Sequence, residues 1–552
     1  MVKKTTVLGV SLVAALTTAA LVPSVYAEPP AGVSGQGERP EAPSAQNAAP
    51  GDPVGSMNGN SMNTTVAHSG VMTIESDLAT DGQTYESVND TENAILMTAG
   101  TVTLTNPAIK KTGAADGDNA DFYGTNAAVF VSGGTLNITG GTVTTDGAHA
   151  NAIFAYGDGL INISNTNIKT TNNNSGALMV TGGGKLNATY VTATTDGNSS
   201  APIRSDRGGG TMVIDGGSYT SNGTGSPVIY STADITAKNT KLTSTASEGV
   251  VIEGKNSVTL DNVELTADNN KLNGQSETYK TIFIYQSMSG DADEGVGSFT
   301  AKNSKITTKN GDTFFVTNTT AEIKLENNIF TNESGDFLRI QAVKWGNSGA
   351  NGGVVTLSAS AQEIVGDIVV DNISSLDFKL ENDSFLKAAI NADNTAKAVN
   401  VELSADSVIV LTKDSYITTL VNADADNKNI YGNGHKLYVN GVEVQTNTAT
   451  PPTGRKNPTK LSETETKQEE VQQETETVDD YSTLGFILAS AGSFLVLVVG
   501  GILIARSARS SKKDTGKDDS SDIEVPLTDK TTKAKSAAEV HHRGQGEGPH
   551  AR

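Results

Sequence analysis

Residues 135–145 read TLNITGGTVTT, and residues 160–170 read LINISNTNIKT, the same pattern one step of 25 residues later. Four more stretches follow it: ITAKNTKLTST (235–245), VTLDNVELTAD (258–268), FTAKNSKITTK (299–309) and IKLENNIFTNE (323–333). Apolar residues stand two apart, as Leu136/Ile138, Ile161/Ile163, Leu186/Ala188, Met212/Ile214 and Ile323/Leu325. A period of two sends alternate side chains to one face, which defines a strand. A third inward residue follows after a break: Val143, Ile168, Leu242, Leu265, Ile306 and Ile329. At the break stand Asn106, Asn165, Asn239, Asn262, Asn303 and Asn327, with Gly140 and Gly216 in the same phase. Asparagine and glycine accept a positive φ most cheaply, so the break is a corner. Stacked corners bring asparagines close enough to bond from coil to coil.

A second repeat lies upstream of each corner. NAIL at Asn93, NAAVFV at Asn126, NAIFAY at Asn151, GALMVT at Gly176 and APIRSD at Ala201 align. SPVIYS, GVVIEG, TIFIYQ, TFFVTN and DFLRIQ continue the series. The central residues are Ile95, Val129, Ile153, Leu178, Ile203, Val228, Val251, Phe283, Phe315 and Leu338. They step by 34, 24, 25, 25, 25, 23, 32, 32 and 23 residues, so loops interrupt a coil of about 24. The loops are DGDNADFYG (116–124), LNGQSETYK (272–280) and SGDADEG (289–295). Regular coils of short strands predict an all-β chain, a right-handed parallel β-helix. Val129, Ile153, Leu178, Ile203 and Val228 are expected to stack inside it. A β-sandwich, with hairpin strands and no fixed coil length, is the rival.

The ends read differently. Lys3 and Lys4 precede an apolar run and Val25-Tyr26-Ala27, the order of a signal peptide over 1–27. Residues 28–60 are a Pro/Gly/Ala/Ser leader. The ectodomain is expected over 61–445, an acidic stalk over 446–482, a transmembrane helix over 483–505 and a polar tail over 506–552. Leu484–Ala505 holds no charge, and its 22 residues rise about 33 Å as a helix. Arg506, Arg509, Lys512 and Lys513 follow it, while residues 463–480 hold eight carboxylates and one lysine. The positive-inside bias therefore predicts a single-pass protein of the cell membrane, its N-terminal part outside and its tail in the cytoplasm. Cysteine is absent and the formal net charge is -22. Disulfides cannot support the fold, and nucleic acid and anionic lipid surfaces are poor partners.

Coils such as GGTLNITGGTVTT, set between a signal peptide, a stalk and an anchor, resemble the adhesin-like, pectin-lyase-like β-helix surface proteins of bacteria. The resemblance covers about residues 90–445. It implies surface binding or adhesion, to glycans or to a host or neighbouring cell. The alternative is a polysaccharide lyase or glycoside hydrolase of the same fold. No LPxTG motif precedes the anchor, so membrane attachment fits better than wall attachment.

The sequence assembles no catalytic group, and the reading leans away from an enzyme. A ligand site is expected on the outer face around Arg204, Asp206, Arg207, Glu253 and Lys255, with Arg339 in the phase of Arg204 and Trp345 placed to stack on a sugar. The other residues in that phase are apolar: Phe130, Phe154, Met179, Ile229, Ile252, Ile284 and Val316. Such a stripe is either a groove, or covered or inward-facing. The competing reading of Arg204 and Asp206 is an ion pair closing the turn at Gly208-Gly209-Gly210. No cofactor is expected. Asp116, Asp118, Asn119 and Asp121, and Asp291, Asp293 and Glu294, supply Ca2+-like oxygens but complete no known loop. The pairs Thr144/Thr145, Thr170/Thr171 and Thr194/Thr195 recur one coil apart and are read as an outer-face array.

Overall fold

The computed structural model describes residues 66–273 and 278–461. The expected signal peptide, the leader, most of the stalk, the membrane helix and the tail lie outside these residues. No helix among the described residues is long and apolar enough to cross a membrane. The chain forms an all-β parallel solenoid of right-handed type with about 15 turns. Three long sheets carry it, of 12, 14 and 10 strands. The first runs from Gly70–Ile74 to Ile368–Val370, the second from Leu78–Asp81 to Thr419–Asn422, the third from Thr84–Ser87 to Ile329–Asn332. A four-stranded sheet then continues beside the second. The strand Leu437–Val439 ends the ladder by pairing antiparallel with Val442–Val444. Fourteen strands about 4.8 Å apart make the second sheet about 60 Å long.

Inward residues stack in register. Val129, Ile153, Leu178 and Ile203 form one row of the first sheet. Leu136, Ile161, Leu186, Met212 and Ile235 form one row of the second. All nine belong to one continuous apolar core. The corner residues have the expected backbone: Asn106, Asn165, Asn239, Asn262, Asn303 and Asn327 have φ between 47° and 55°. Asn262 donates to the Asn239 side chain at 2.8 Å, and Asn327 to Asn303 at 2.8 Å. Tyr190, Ala361, Asn382 and Gly82 fill the same phase, also with positive φ.

Three expectations fail by one residue each. The row expected to continue from Ile203 to Val228 continues to Ile229. Val180 pairs with Ser205, 25 residues on, but Gly184 pairs with Gly210, 26 on, so the turn after Ser205 holds one extra residue. A one-residue slip exchanges the faces of every residue beyond it. Ile229, Ile252, Ile284 and Val316 therefore face inward, while Tyr230, Val251, Phe283 and Phe315 take the outer row. At the far corner the partner of Ile306 is Phe330, and Ile329 faces out. In the third sheet Thr145, Thr170 and Thr195 point inward and are buried. Successive residues of a strand face opposite ways, so a Thr-Thr pair cannot lie on one face.

Residues 446–461, the start of the expected stalk, lie against the solenoid. Arg455 donates from Nε to the Asp383 carbonyl at 2.9 Å, and the Asn457 amide to the Asp383 carboxylate at 2.9 Å.

Candidate functional site

The outer row of the first sheet runs Leu96, Phe130, Phe154, Met179, Arg204, Tyr230, Val251, Phe283, Phe315, Arg339. It is covered. The 116–124 insertion folds as helix α1 (Asp118–Tyr123). Six residues cannot hold a helix unaided, and no side chain caps its start. Burial of Phe122 holds it, together with a bond from Thr181 Oγ1 to the Phe122 carbonyl at 2.8 Å and the pair His149–Asp121 at 2.8 Å. Gly124 closes the helix with φ 71° so near the Phe130 and Phe154 rings that a Cβ would clash with both. His68 stacks on Phe130, at 4.1 Å between centroids. Farther along, Trp345 packs edge-on against Tyr285 at 5.1 Å, over the cluster of Tyr230, Val251, Phe283 and Phe315.

Between the two apolar clusters lies a polar one. Arg204 is 2% exposed and Asp206 is fully buried; Arg204 Nη2 donates to Asp206 Oδ2 at 2.9 Å. The Arg207 amide donates to Asp206 Oδ1 at 3.1 Å, and the Gly209 amide to the Asp206 carbonyl at 2.9 Å, which closes the turn. Two coils on, Glu253 is fully buried. Tyr230 and Tyr285 donate to its Oε2 at 2.7 and 2.8 Å, and Ser287 donates to Oε1. Arg207 joins the cluster to its cover. Its Nε donates to Asp291 of the 286–295 loop at 2.6 Å, and its Nη1 to Asp118 of α1 at 3.3 Å. The guanidinium also lies 3.9 Å from the centroid of the Phe122 ring.

Burial disfavours charge on the enclosed carboxyls. It pushes Asp206 up to about 7, with Arg204 opposing and Asp291 adding. Burial likewise raises Glu253, helped by Asp291 and opposed by its hydroxyl donors Ser287, Tyr230 and Tyr285.

Of the expected site residues, Arg204, Asp206, Arg207 and Glu253 gather in this cluster, but beneath a cover rather than on an open face. Lys255 is exposed at the rim and pairs with Asp293 at 2.8 Å. Arg339 stands apart, bonded to Asp312 at 2.8 Å and to Asp336. Trp345 is buried and offers no open ring face. Tyr230, Tyr285, Ser287 and Asp118 were not anticipated at the site. The one-residue slip hid Tyr230, and only the fold brings Asp118 and Asp291 together. Among the described residues, no group of three or more His, Asp or Glu side chains is placed to hold a metal ion. No protein-family model, curated protein or solved structure matches the chain.

Proposed function

We propose that the protein is a membrane-anchored extracellular rod that binds glycans in adhesion at the cell surface. The observation that carries this reading is the outer face of the second sheet. Asn137, Asn162 and Asn187 stand in register there, Asn162 donating to Asn137 and Asn187 to Asn162 at 2.9 Å, while Asn137 donates to the Val102 carbonyl at 3.4 Å. Thr103 precedes them in the row, and Thr105, Thr139, Ser164 and Thr189 form the row alongside. Between Asp81 and Asp215, which bound the second row, these residues carry no charge, and the face repeats a donor and acceptor every ~4.8 Å. Sugar hydroxyls on an extended chain meet such a surface without desolvating any charge. The test is a glycan array probed with the detergent-solubilised full-length protein and its Thr139→Lys/Asn187→Lys variant. Binding that is lost in the variant, at unchanged melting temperature, supports the reading. Binding to no glycan, or binding untouched by the variant, rejects it.

One observation favours the enzymatic alternative. Asp206 and Glu253 both have raised proton affinity, as an acid catalyst requires. Unsaturated or reducing products from pectins, alginates or neutral glycans, absent with Asp206→Ala, would establish that alternative instead.

A further inference from the structure

The polar cluster has an excess of acid. Beneath the cover stand two guanidiniums, Arg204 and Arg207, and three carboxyls, Asp206, Glu253 and Asp291. With Asp118 and Asp121 they come from five places in the chain. Arg204 lies on the strand Ile203–Ser205, Asp206 and Arg207 on the turn after it, and Glu253 on the strand Val250–Glu253. Asp291 lies on the 286–295 loop, and Asp118 and Asp121 face the cluster from α1. Tyr230 and Tyr285 add neutral hydroxyls from two more strands. Arg207 bonds to both covering segments, reaching them across 84 and 89 residues of sequence.

We propose that α1 and the 286–295 loop form a pH-gated cover, clasped by Arg207 and released when Asp206 ionises against Asp291 and Glu253. With Asp206 protonated, the excess of carboxylate over guanidinium around the cluster is at its smallest and the cover stays shut. When Asp206 loses its proton, the closed cluster gains one more negative charge beside Asp291 and Glu253, out of contact with solvent. Opening hydrates that charge. It also bares the outer row beside α1, at Phe130, Phe154, Met179 and Arg204, while Phe283 and Phe315 stay under Trp345. The proton leaves to solvent and no bond is made or broken, so the device is a conformational equilibrium linked to one titration. It goes beyond glycan binding and holds whatever the rod binds.

Linkage sets the size of the effect. The closed state holds the Asp206 proton up to about pH 7. An open, hydrated aspartate loses it near pH ~3.9. The opening constant should therefore rise up to about tenfold per pH unit between these limits and level off above.

The test is hydrogen exchange on the full-length protein, read as protection factors so that intrinsic rates cancel. Protection over 117–124 and 286–295 should fall from about pH 5 to about pH 7.5 while the second sheet stays constant. Trp345 is the only tryptophan in the chain, so acrylamide quenching of its emission gives a second readout beside Tyr285. In Asp206→Asn the pH step should vanish. If that variant does not fold, Asp291→Asn serves: removing this neighbour should move the step to lower pH. Arg207→Met should lower protection of both segments at every pH. Protection that stays flat with pH in the native protein overturns the proposal. So does a pH step that persists unshifted in these aspartate variants, or an Arg207→Met protein protected like the native one.

Discussion

At the scale of single residues, the corners test the argument most directly. Asn262 has φ 55° and donates to Asn239. Asn262→Ala forfeits that bond and places a Cβ residue without local compensation in the left-handed region, a loss of about 1–2 kcal/mol. Asn262→Gly should lose less, because glycine accepts the backbone. Chemical denaturation of the two variants decides the order. The corner was legible in the sequence because only a special backbone explains asparagine at a fixed phase. Tyr190 and Ala361 were not legible there, since neither residue type signals φ > 0. Lys111 offers a test with the opposite chemistry. It sits fully buried in register between Ser87 and Thr145, donating to the Asn89 carbonyl at 2.6 Å. Burial lowers it to about 8, with Asp90 and Glu92 opposing. Its folded value lies below its unfolded one, so the charge costs stability below about pH 8, and the cost fades as pH rises toward ~10.4. Lys111→Met should therefore raise stability by about 1–2 kcal/mol near pH 7, net of the lost hydrogen bond. The gain should shrink by about pH 10. A variant less stable than the native protein at pH 7 would refute the account.

At the scale of elements, strands and insertions differ in how openly the sequence declares them. Alternation in TLNITGGTVTT fixes both faces of a strand, and those faces came out as expected in the second sheet. The first sheet was harder. Its strands are apolar on both faces, because insertions cover the outer one, so alternation is lost and register rests on counting alone. One extra residue in the turn 206–209 was then enough to exchange Ile229 for Tyr230 and to hide half of the candidate site. Helix α1 follows the same logic in reverse. The sequence marks 116–124 only as an interruption, since its helical form comes from the groove it fills. Phe122→Ala should remove its anchor and expose Phe130 and Phe154. The expected signs are binding of a hydrophobic dye and loss of exchange protection confined to 117–124, with the sheets unchanged. Global unfolding would instead mean that the insertion is part of the core.

At the scale of the whole molecule, each coil touches mainly its neighbours, so stability grows by addition along the axis. Thr170 and Thr195 are register partners. Deleting residues 171–195 and joining Thr170 to Asp196 removes one complete coil while every sheet keeps its order. The shortened protein should fold with the native circular dichroism and a melting temperature within a few degrees, whereas aggregation would show that coils are not interchangeable. The last feature is the reversed strand at the end of the ladder, where Val442–Val444 runs antiparallel to Leu437–Val439. A parallel solenoid is chemically close to a fibril folded from one chain, and its final rung would template further chains in the same direction. In that three-stranded sheet the turned rung presents the wrong polarity to an incoming parallel strand. Two copies meeting at this edge therefore cannot extend one another's sheet into a fibril.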